Sequence, residues 1–450
     1  MQSNHANRGL TRRDFLARGA AAAGALGLFT IVPRHVLGGP GYKAPSETLY
    51  IAGIGLGGKG ASDAQELKHE KIVALCDVDD EKGAPLFKQF PDAKPYRDYR
   101  KMLEQEKGID AIFVATPDHT HAVISMAALK MGKHVYCQKP LTHSIFEARE
   151  LARVAREANV ATQMGNQGLA DESVRVLGEM IADGCIGPVH EVHIWTDRPI
   201  WPQGIERPQD TPAVPASLDW DLWLGPAPAR AFHPAYHPFS WRGWKDFGTG
   251  ALGDIGCHTF APVFRALKLG HPETVEGSAS KYCPGAGGTP AFFKETYPQA
   301  SIVKYQFPAR DNMPACTLTW YDGGLKPPRP PELDEGRELG IGGTLLVGEK
   351  GKLLNGRLIP ESRQKEYTLP AKTLPRSIGH YKEWTEACKG GTPGGSEFGF
   401  ASLVTEVVLL GNIALETGKF LRWDGPNMRI TNVPEANNFL RREYRPGWSL

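Results

Sequence analysis

The sequence predicts an α/β chain, with a doubly wound parallel sheet first and an α+β domain after it. Two observations carry the first half. Apolar runs of strand length alternate with helix-like stretches from Leu49 to Met164, and a glycine-rich loop separates the first run from the first helix. A third carries the second half: in Val189–Trp195 apolar and polar residues alternate singly, as in a half-exposed strand.

Leu49-Tyr50-Ile51-Ala52-Gly53-Ile54 suits a buried parallel strand. It opens into Gly55-Leu56-Gly57-Gly58-Lys59-Gly60, a G-x-G-x-x-G match. A helix-like Ala61–Leu67 and a second apolar run, Ile72–Cys76, follow and end in Asp77. Gly55 permits the tight turn, Gly57 lets backbone N–H groups approach a pyrophosphate, and Gly60 lets helix and strand pack closely. Gly58 completes the cofactor-binding loop, and the helix N-terminus adds positive potential for the phosphates. Asp77, about 20 residues after the loop opens, is placed to accept both hydroxyls of a ribose. An ordinary glycine-rich turn explains the glycines alone; strand, loop, helix, strand and acid in this order read as a Rossmann dinucleotide fingerprint. A carboxylate at Asp77 repels a 2′-phosphate, and Val78-Asp79-Asp80 offer no arginine to receive one. The expected cofactor is NAD rather than NADP.

The rest of the first domain continues the alternation. Glu81–Phe90 and Tyr99–Glu106 read as helices and Asp110–Thr116 as a buried strand. Pro117-Asp118-His119-Thr120-His121 reads as a loop, and Ala122–Met131 as a helix broken by Gly132. His134–Cys137, Phe146–Ala158 and Val160–Met164 follow as strand, helix and strand. The loops at Gly55–Gly60, Thr116–His121, Gln138–Pro140 and Gly165–Gly168 all leave strand carboxyl ends, where ligands of such sheets lie.

At 450 residues the chain suits two domains, and its hydrophobic (41%) and charged (23%) contents are those of a globular protein. The expected limits are 47–170 for the dinucleotide domain, 171–430 for an α+β domain and 431–450 for a tail. A formal charge of +2 without a basic stripe argues against nucleic-acid binding. The seven cysteines show no C-x-x-C and no disulfide-scaffold spacing. Residues 1–40 read as an address: Arg12-Arg13 stand before the alanine-rich Ala20–Phe29, which resembles a bacterial Tat signal. The expected location is therefore the periplasm or another exported site, with no stable membrane span after processing. The Tat route carries folded proteins, which fits a cofactor loaded before export.

In the second domain Ser173–Asp183 reads as a helix. Ser301–Phe307, Ala315–Tyr321, Gly343–Gly348 and Lys352–Asn355 read as strands, and Ile378–Cys388 and Phe400–Leu415 as helices. Thr196–Gly204, Asp219–Pro226 and Trp241–Trp244 are rich in tryptophan, proline and arginine. Each such residue alone can be a packing device; as a group they suit a sugar, whose C–H face stacks on indole. On a helix, Asp254 and His258 at i, i+4 share one face, so Asp254 can orient His258. His119 and His121 form H-x-H, yet no carboxylate or cysteine stands at ligand spacing, and no metal is expected.

The glycine loop, Thr116-Pro117 followed by His121, the x-Lys-Pro turn at Lys139-Pro140 and Gly253-Asp254-Ile255-Gly256-Cys257-His258 occur in one order. That order resembles the Gfo/Idh/MocA family, named for glucose–fructose oxidoreductase and inositol 2-dehydrogenase, across residues 47–430. The resemblance implies a C-terminal domain with a large open, mainly antiparallel sheet, used for homodimer or homotetramer contacts. It also implies Lys139, Asp254 and His258 as catalytic residues. Thr116, Pro117, His121, Gln138 and Lys139 would join the glycine loop at the cofactor, His121 near the nicotinamide. Asn166, Arg198, Arg242, Trp244 and His258 would meet the substrate. The family's usual turn is Glu-Lys-Pro; Gln138 removes a charge beside Lys139, which is expected to alter its tuning.

The favoured activity is oxidation or reduction of a secondary hydroxyl on a sugar, glycoside or polyol, with tightly held NAD. His258, ordinarily titrating near ~6.5, would remove the hydroxyl proton, and Lys139 would stabilise the oxygen's developing charge. A second reading is a glycoside hydrolase working by transient C3 oxidation. Its relatives carry Tyr-x-His after the last Rossmann strand, where this chain has Gly165-Asn166-Gln167-Gly168. A third is a non-catalytic sugar-binding protein, against which the Lys139/Asp254/His258 set stands.

Overall fold

The computed structural model describes residues 47–283, 288–289 and 291–450. The twin-arginine leader lies outside the described residues.

The first half alternates as its sequence predicts. The order is β1 (Tyr50–Ile54), α1 (Lys59–Leu67), β2 (Lys71–Cys76), α2 (Asp80–Gln89), β3 (Lys94–Tyr96) and α3 (Tyr99–Gln105). It continues with β4 (Ala111–Val114), α4 (Asp118–Lys130), β5 (His134–Cys137), α5 (Ile145–Glu157) and β6 (Thr162–Met164). The six strands form one parallel sheet in the order β3-β2-β1-β4-β5-β6. The strand order reverses beside β1, and the crevice outside that point is where a dinucleotide lies in such sheets. Ile51, Ala52, Ile112, Phe113 and Val135 are fully buried, because helices cover both faces. Helix α4 begins at Asp118, not at Ala122: Pro117 caps it in an extended conformation, and the Asp118 carboxylate suits the first turn. Residues 118–121, expected as a loop, are therefore helical. Ser144 caps α5 through a reciprocal box with Glu147.

The second half runs α6 (Glu172–Ala182), β7 (Val189–Trp195), α7 (Trp220–Leu224), α8 (Gly250–Leu267), β8 (Thr274–Ala279), β9 (Ser301–Phe307) and β10 (Cys316–Tyr321). Then come β11 (Gly343–Gly348), β12 (Gly351–Leu354), β13 (Arg357–Ile359), α9 (Glu361–Glu366), α10 (His380–Cys388), α11 (Phe398–Thr417), β14 (Leu421–Asp424) and β15 (Arg429–Ile430). Its nine strands are ordered β13-β12-β11-β7-β10-β9-β8-β14-β15. Only the β7–β10 pair is parallel, so the sheet is mainly antiparallel, as the fold class anticipated.

Helix α8 packs on this sheet through edge-on aromatic contacts, Phe260 against Tyr305 and Trp320, and Phe264 against Phe307, and α11 shares the same apolar core. By length and composition α11 could cross a membrane, yet it is 78% buried and serves as a core helix. It also ties the halves together: Arg149 on α5 bonds Glu406 on α11 at 2.7 Å. Trp384 on α10 is buried in the same apolar cluster as Leu75, Phe113 and Tyr136. Leu49–Leu450 thus pack as one unit, although residues 47–170 and 171–430 carry separate sheets.

Candidate functional site

The glycine loop is shaped by backbone sterics. Gly55 adopts φ +83°, and a Cβ there would sit 2.7 Å from the Ala115 carbonyl oxygen. A Cβ on Gly60 would collide with the Gly55 carbonyl, so strand and helix can close only on glycine. Gly57 differs: a Cβ there would meet nothing nearer than the Lys82 Cβ at 3.6 Å. Gly55, Gly57 and Gly58 line a cavity of about 430 Å³, and Gly60 supports the loop from behind. Open space at Gly57 beside the N-terminus of α1 is a cradle suited to a pyrophosphate.

At one end of the cavity stands Asp77. Its carboxylate accepts the Leu56 amide at 2.7 Å and the Asp79 amide at 3.0 Å, which binds the end of β2 to the glycine loop. Burial raises this carboxyl above its usual range, although the two amides pull the other way. Arg97, brought by the segment after β3, also lines this end. Local reading of residues 78–80 missed it. Asp80 holds its guanidinium, with Nε to Oδ1 at 2.8 Å, so the charge that could receive a 2′-phosphate is already paired. The residues present fit NAD.

At the other end Lys139 Nζ donates to the Asp254 side chain at 2.7 Å and to its main-chain carbonyl at 2.9 Å. Arg242 Nε reaches the same carboxylate oxygen at 3.2 Å. Burial alone would raise the Asp254 carboxyl; the charges of Lys139 and Arg242 outweigh it and hold it below the usual value. The Arg242 guanidinium is stacked by Trp241 at 4.2 Å and Phe239 at 4.7 Å, which fixes its plane. Thr116, Pro117, Gln138, Lys139, Arg242 and Asp254 all line the cavity. His258 lies one helical turn beyond Asp254 on α8, half-buried and outside the cavity lining. Burial and then the Lys139 charge push its pKa down to about 4, so the ring is neutral at physiological pH.

The structure places several expected residues outside the cavity lining. His121 is buried, with Nδ1 2.8 Å from the Pro140 carbonyl and Nε2 2.8 Å from the Thr116 carbonyl. It fastens two cavity-side loops together and does not itself line the cavity, because α4 starts early and turns the ring inward. Trp244 is fully buried and donates its indole N–H to the Ala235 carbonyl at 2.9 Å. It packs edge-on to Tyr236 in an aromatic cluster with Trp223 and Phe247, so it is a core residue and not a sugar platform. Arg198 pairs with its neighbour Asp197 at 3.1 Å and does not line the cavity. Asn166 is 1% exposed, its side-chain amide bonds no described group, and it too is absent from the cavity wall. Gln138 does not adjust Lys139 by contact; its amide donates to the fully buried Asp63 at 2.7 Å. Asp63 also accepts from Tyr381, which takes part in a network with Lys59. A carboxylate thus stays close to the x-Lys-Pro turn, delivered from α1.

Two further groups escaped sequence reasoning. Asp118 lines the cavity, accepts from Thr249 Oγ1 at 2.7 Å, and has its pKa pushed up to about 7 by burial. The only signal was an acid following Thr116-Pro117, in a stretch read as loop. Trp448 also lines the cavity, from a segment read as a tail. Among the described residues no cluster of metal-ligating side chains occurs.

Comparison with known proteins agrees with this geometry. Residues 49–166 match an oxidoreductase family's NAD-binding Rossmann fold, and residues 193–299 match its C-terminal alpha/beta domain. A myo-inositol 2-dehydrogenase of Thermotoga maritima is 28% identical over 157 residues, 34% of this chain and 47% of that protein. A 1,5-anhydro-D-fructose reductase of Ensifer adhaerens is 26% identical over 192 residues, 42% of this chain and 46% of that protein. The chain thus spans about half the length of these curated relatives. The crystal structure of the WlbA dehydrogenase from Bordetella pertussis, in complex with NADH and UDP-GlcNAcA, superposes with a TM-score of 0.58. That likeness covers 84% of this chain and 99% of that one at 15% identity, and shows the shared fold. With its glycine cradle, Asp77 and two-domain architecture, the chain belongs to the NAD-binding Gfo/Idh/MocA family of oxidoreductases.

Proposed function

We propose that the protein is an NAD-dependent oxidoreductase acting on a secondary hydroxyl of a sugar, glycoside or polyol. One observation carries the reading: the glycine cradle and the Lys139–Asp254–Arg242 cluster line the same cavity, so dinucleotide and proton-handling groups face one space. The names of the relatives, an inositol dehydrogenase and an anhydrofructose reductase, support a polyhydroxylated substrate.

NAD, when bound, supplies the hydride acceptor or donor. Gly55, Gly57 and Gly58, which line the cavity, would hold its pyrophosphate, and Asp77 its ribose. Lys139, fixed by two bonds to Asp254, presents its ammonium to the substrate oxygen and stabilises the charge that grows there as the proton leaves. His258, neutral and one turn beyond Asp254 on the same helix, stands outside the cavity lining, so in this reading it receives that proton by relay past the Lys139–Asp254 pair. Arg242, held flat by its aromatic neighbours, orients a substrate hydroxyl. We also read the Arg12-Arg13 leader as export by the Tat route, and the half-exposed outer face of the large sheet at Glu191, Thr317 and Gln306 as the contact between copies.

Denaturing the purified protein and identifying any released nucleotide by mass tests the cofactor reading. Following NADH absorbance across a panel of sugars and polyols tests the activity. Bound NAD together with absorbance change on a polyol is expected. Failure of the protein to bind either oxidised or reduced NAD would sink the reading.

A further inference from the structure

The segment 441–450, which no motif singled out, crosses the nucleotide-binding domain and reaches the cofactor cavity. Arg441 lies 3.6 Å over the ring of Phe146, and Tyr444 donates to Glu147 at 2.6 Å, both on α5. Arg445 then grips α7: Nε donates to the Gly225 carbonyl, Nη1 to the Asp221 carboxylate, each at 2.5 Å, and its own amide to the Pro226 carbonyl at 3.2 Å. Those contacts set down Trp448. Its indole lines the cavity together with Asp77, Val78, Tyr99 and Leu222. The Arg100 guanidinium packs over the ring at 4.6 Å, and the Tyr99 ring is 6.4 Å away. Lys130 on α4 bonds the Leu450 carbonyl at 3.0 Å, so the segment is held on both sides of the tryptophan.

We propose that residues 441–450 form a clasp over the adenosine end of the cofactor site, with Trp448 as the aromatic wall for the adenine. The proposal rests on the NAD reading above, which puts the ribose at Asp77 and the base beyond it. A base offers a flat face that stacks on an aromatic ring whatever its identity, and such stacking changes binding by roughly tenfold or more per base. The Arg445 anchors make the position of that wall depend on α7, an element of the second half of the chain. Opening the clasp therefore releases the adenosine end without disturbing Lys139 or the glycine loop, and the clasp governs how long the nucleotide stays.

The test compares NADH release from the full-length protein and its Trp448→Ala, Trp448→Phe and Arg445→Ala variants, by displacement with excess NAD and loss of bound-NADH fluorescence. Equilibrium binding of reduced nicotinamide mononucleotide, which lacks the adenosine, is measured alongside. Trp448→Ala and Arg445→Ala are expected to release NADH about tenfold faster or more, Trp448→Phe to stay within about threefold of the parent, and all to bind the mononucleotide equally. NADH release unchanged in both alanine variants, with NADH still bound by the parent, overturns the clasp alone. Equal weakening of the mononucleotide overturns it too, since the damage would then be general. A parent that binds no NADH removes the cofactor reading and the clasp with it.

Discussion

Lys139 donates to both the side chain and the main-chain carbonyl of Asp254, so a lysine leaving the parallel sheet at β5 is pinned to helix α8 beyond β7. One carboxylate oxygen takes both Lys139 and Arg242. The pinning restricts the ammonium to one direction, which is the pre-organisation a charge-stabilising donor needs.

Removing either partner is therefore expected to abolish most turnover without emptying the cofactor site. Lys139→Ala and Asp254→Asn should each lower kcat by about 10²–10⁴-fold. NADH affinity should stay within severalfold, because the glycine loop and Asp77 are untouched. Steady-state kinetics beside a fluorescence titration would falsify the assignment if kcat stayed within twofold of the parent.

The pH dependence should bear the mark of two displaced groups. With the His258 pKa lowered to about 4, its neutral form persists far into acid, so the limb of kcat/KM due to it falls near pH 4 rather than ~6.5. Asp118, pushed up to about 7, titrates in the neutral range beside Lys139. Asp118→Asn should erase any inflection near pH 7 and leave the acid limb in place. Its stability effect has the opposite sense from a paired carboxylate: the native state binds the proton more tightly, so stability falls as pH rises from about 4 through 7. The variant should be less sensitive over that window, as urea unfolding at several pH values can show.

His121 places both ring nitrogens 2.8 Å from carbonyl oxygens, an arrangement complete only for the imidazolium. Burial would lower its pKa, but the nearby Cys137 and the two carbonyls outweigh this and raise it. A raised native pKa stabilises fully below the unfolded value of about 6.5 and is lost as pH climbs through the native one. The stability gap between parent and His121→Ala should narrow above that range. A gap that widens with pH would show a neutral ring.

Two glycines of one loop should fail in different ways. Gly60→Ala drives a methyl into the Gly55 carbonyl and should cost about 1–3 kcal/mol of stability. Gly57→Ala meets only the Lys82 Cβ at 3.6 Å, so stability should stay within about 0.5 kcal/mol while NADH affinity drops about tenfold or more. Thermal melts and NADH titrations of both variants decide it; equal stability losses would mean that the loop has no open cradle at Gly57.

Local chemistry determined much of this protein from sequence alone. Apolar runs and glycine spacing predicted the alternating elements, the phosphate loop and Asp77, because period, turn geometry and sterics act within a few residues. Lys139, Asp254 and His258 were found through motif order, and i, i+4 spacing correctly put the last two on one helix. Tertiary structure decided which of these groups share a space. It turned His121 and Trp244 inward, since a helix that starts at Asp118 and an aromatic cluster around Tyr236 bury them. It brought Arg97 and Trp448 to the cavity from segments with no motif, and turned Asp118, inside the Thr116–His121 motif, into the same cavity. Contacts between residues hundreds of positions apart depend on how helices and sheets pack, and no local pattern in the chain records that packing.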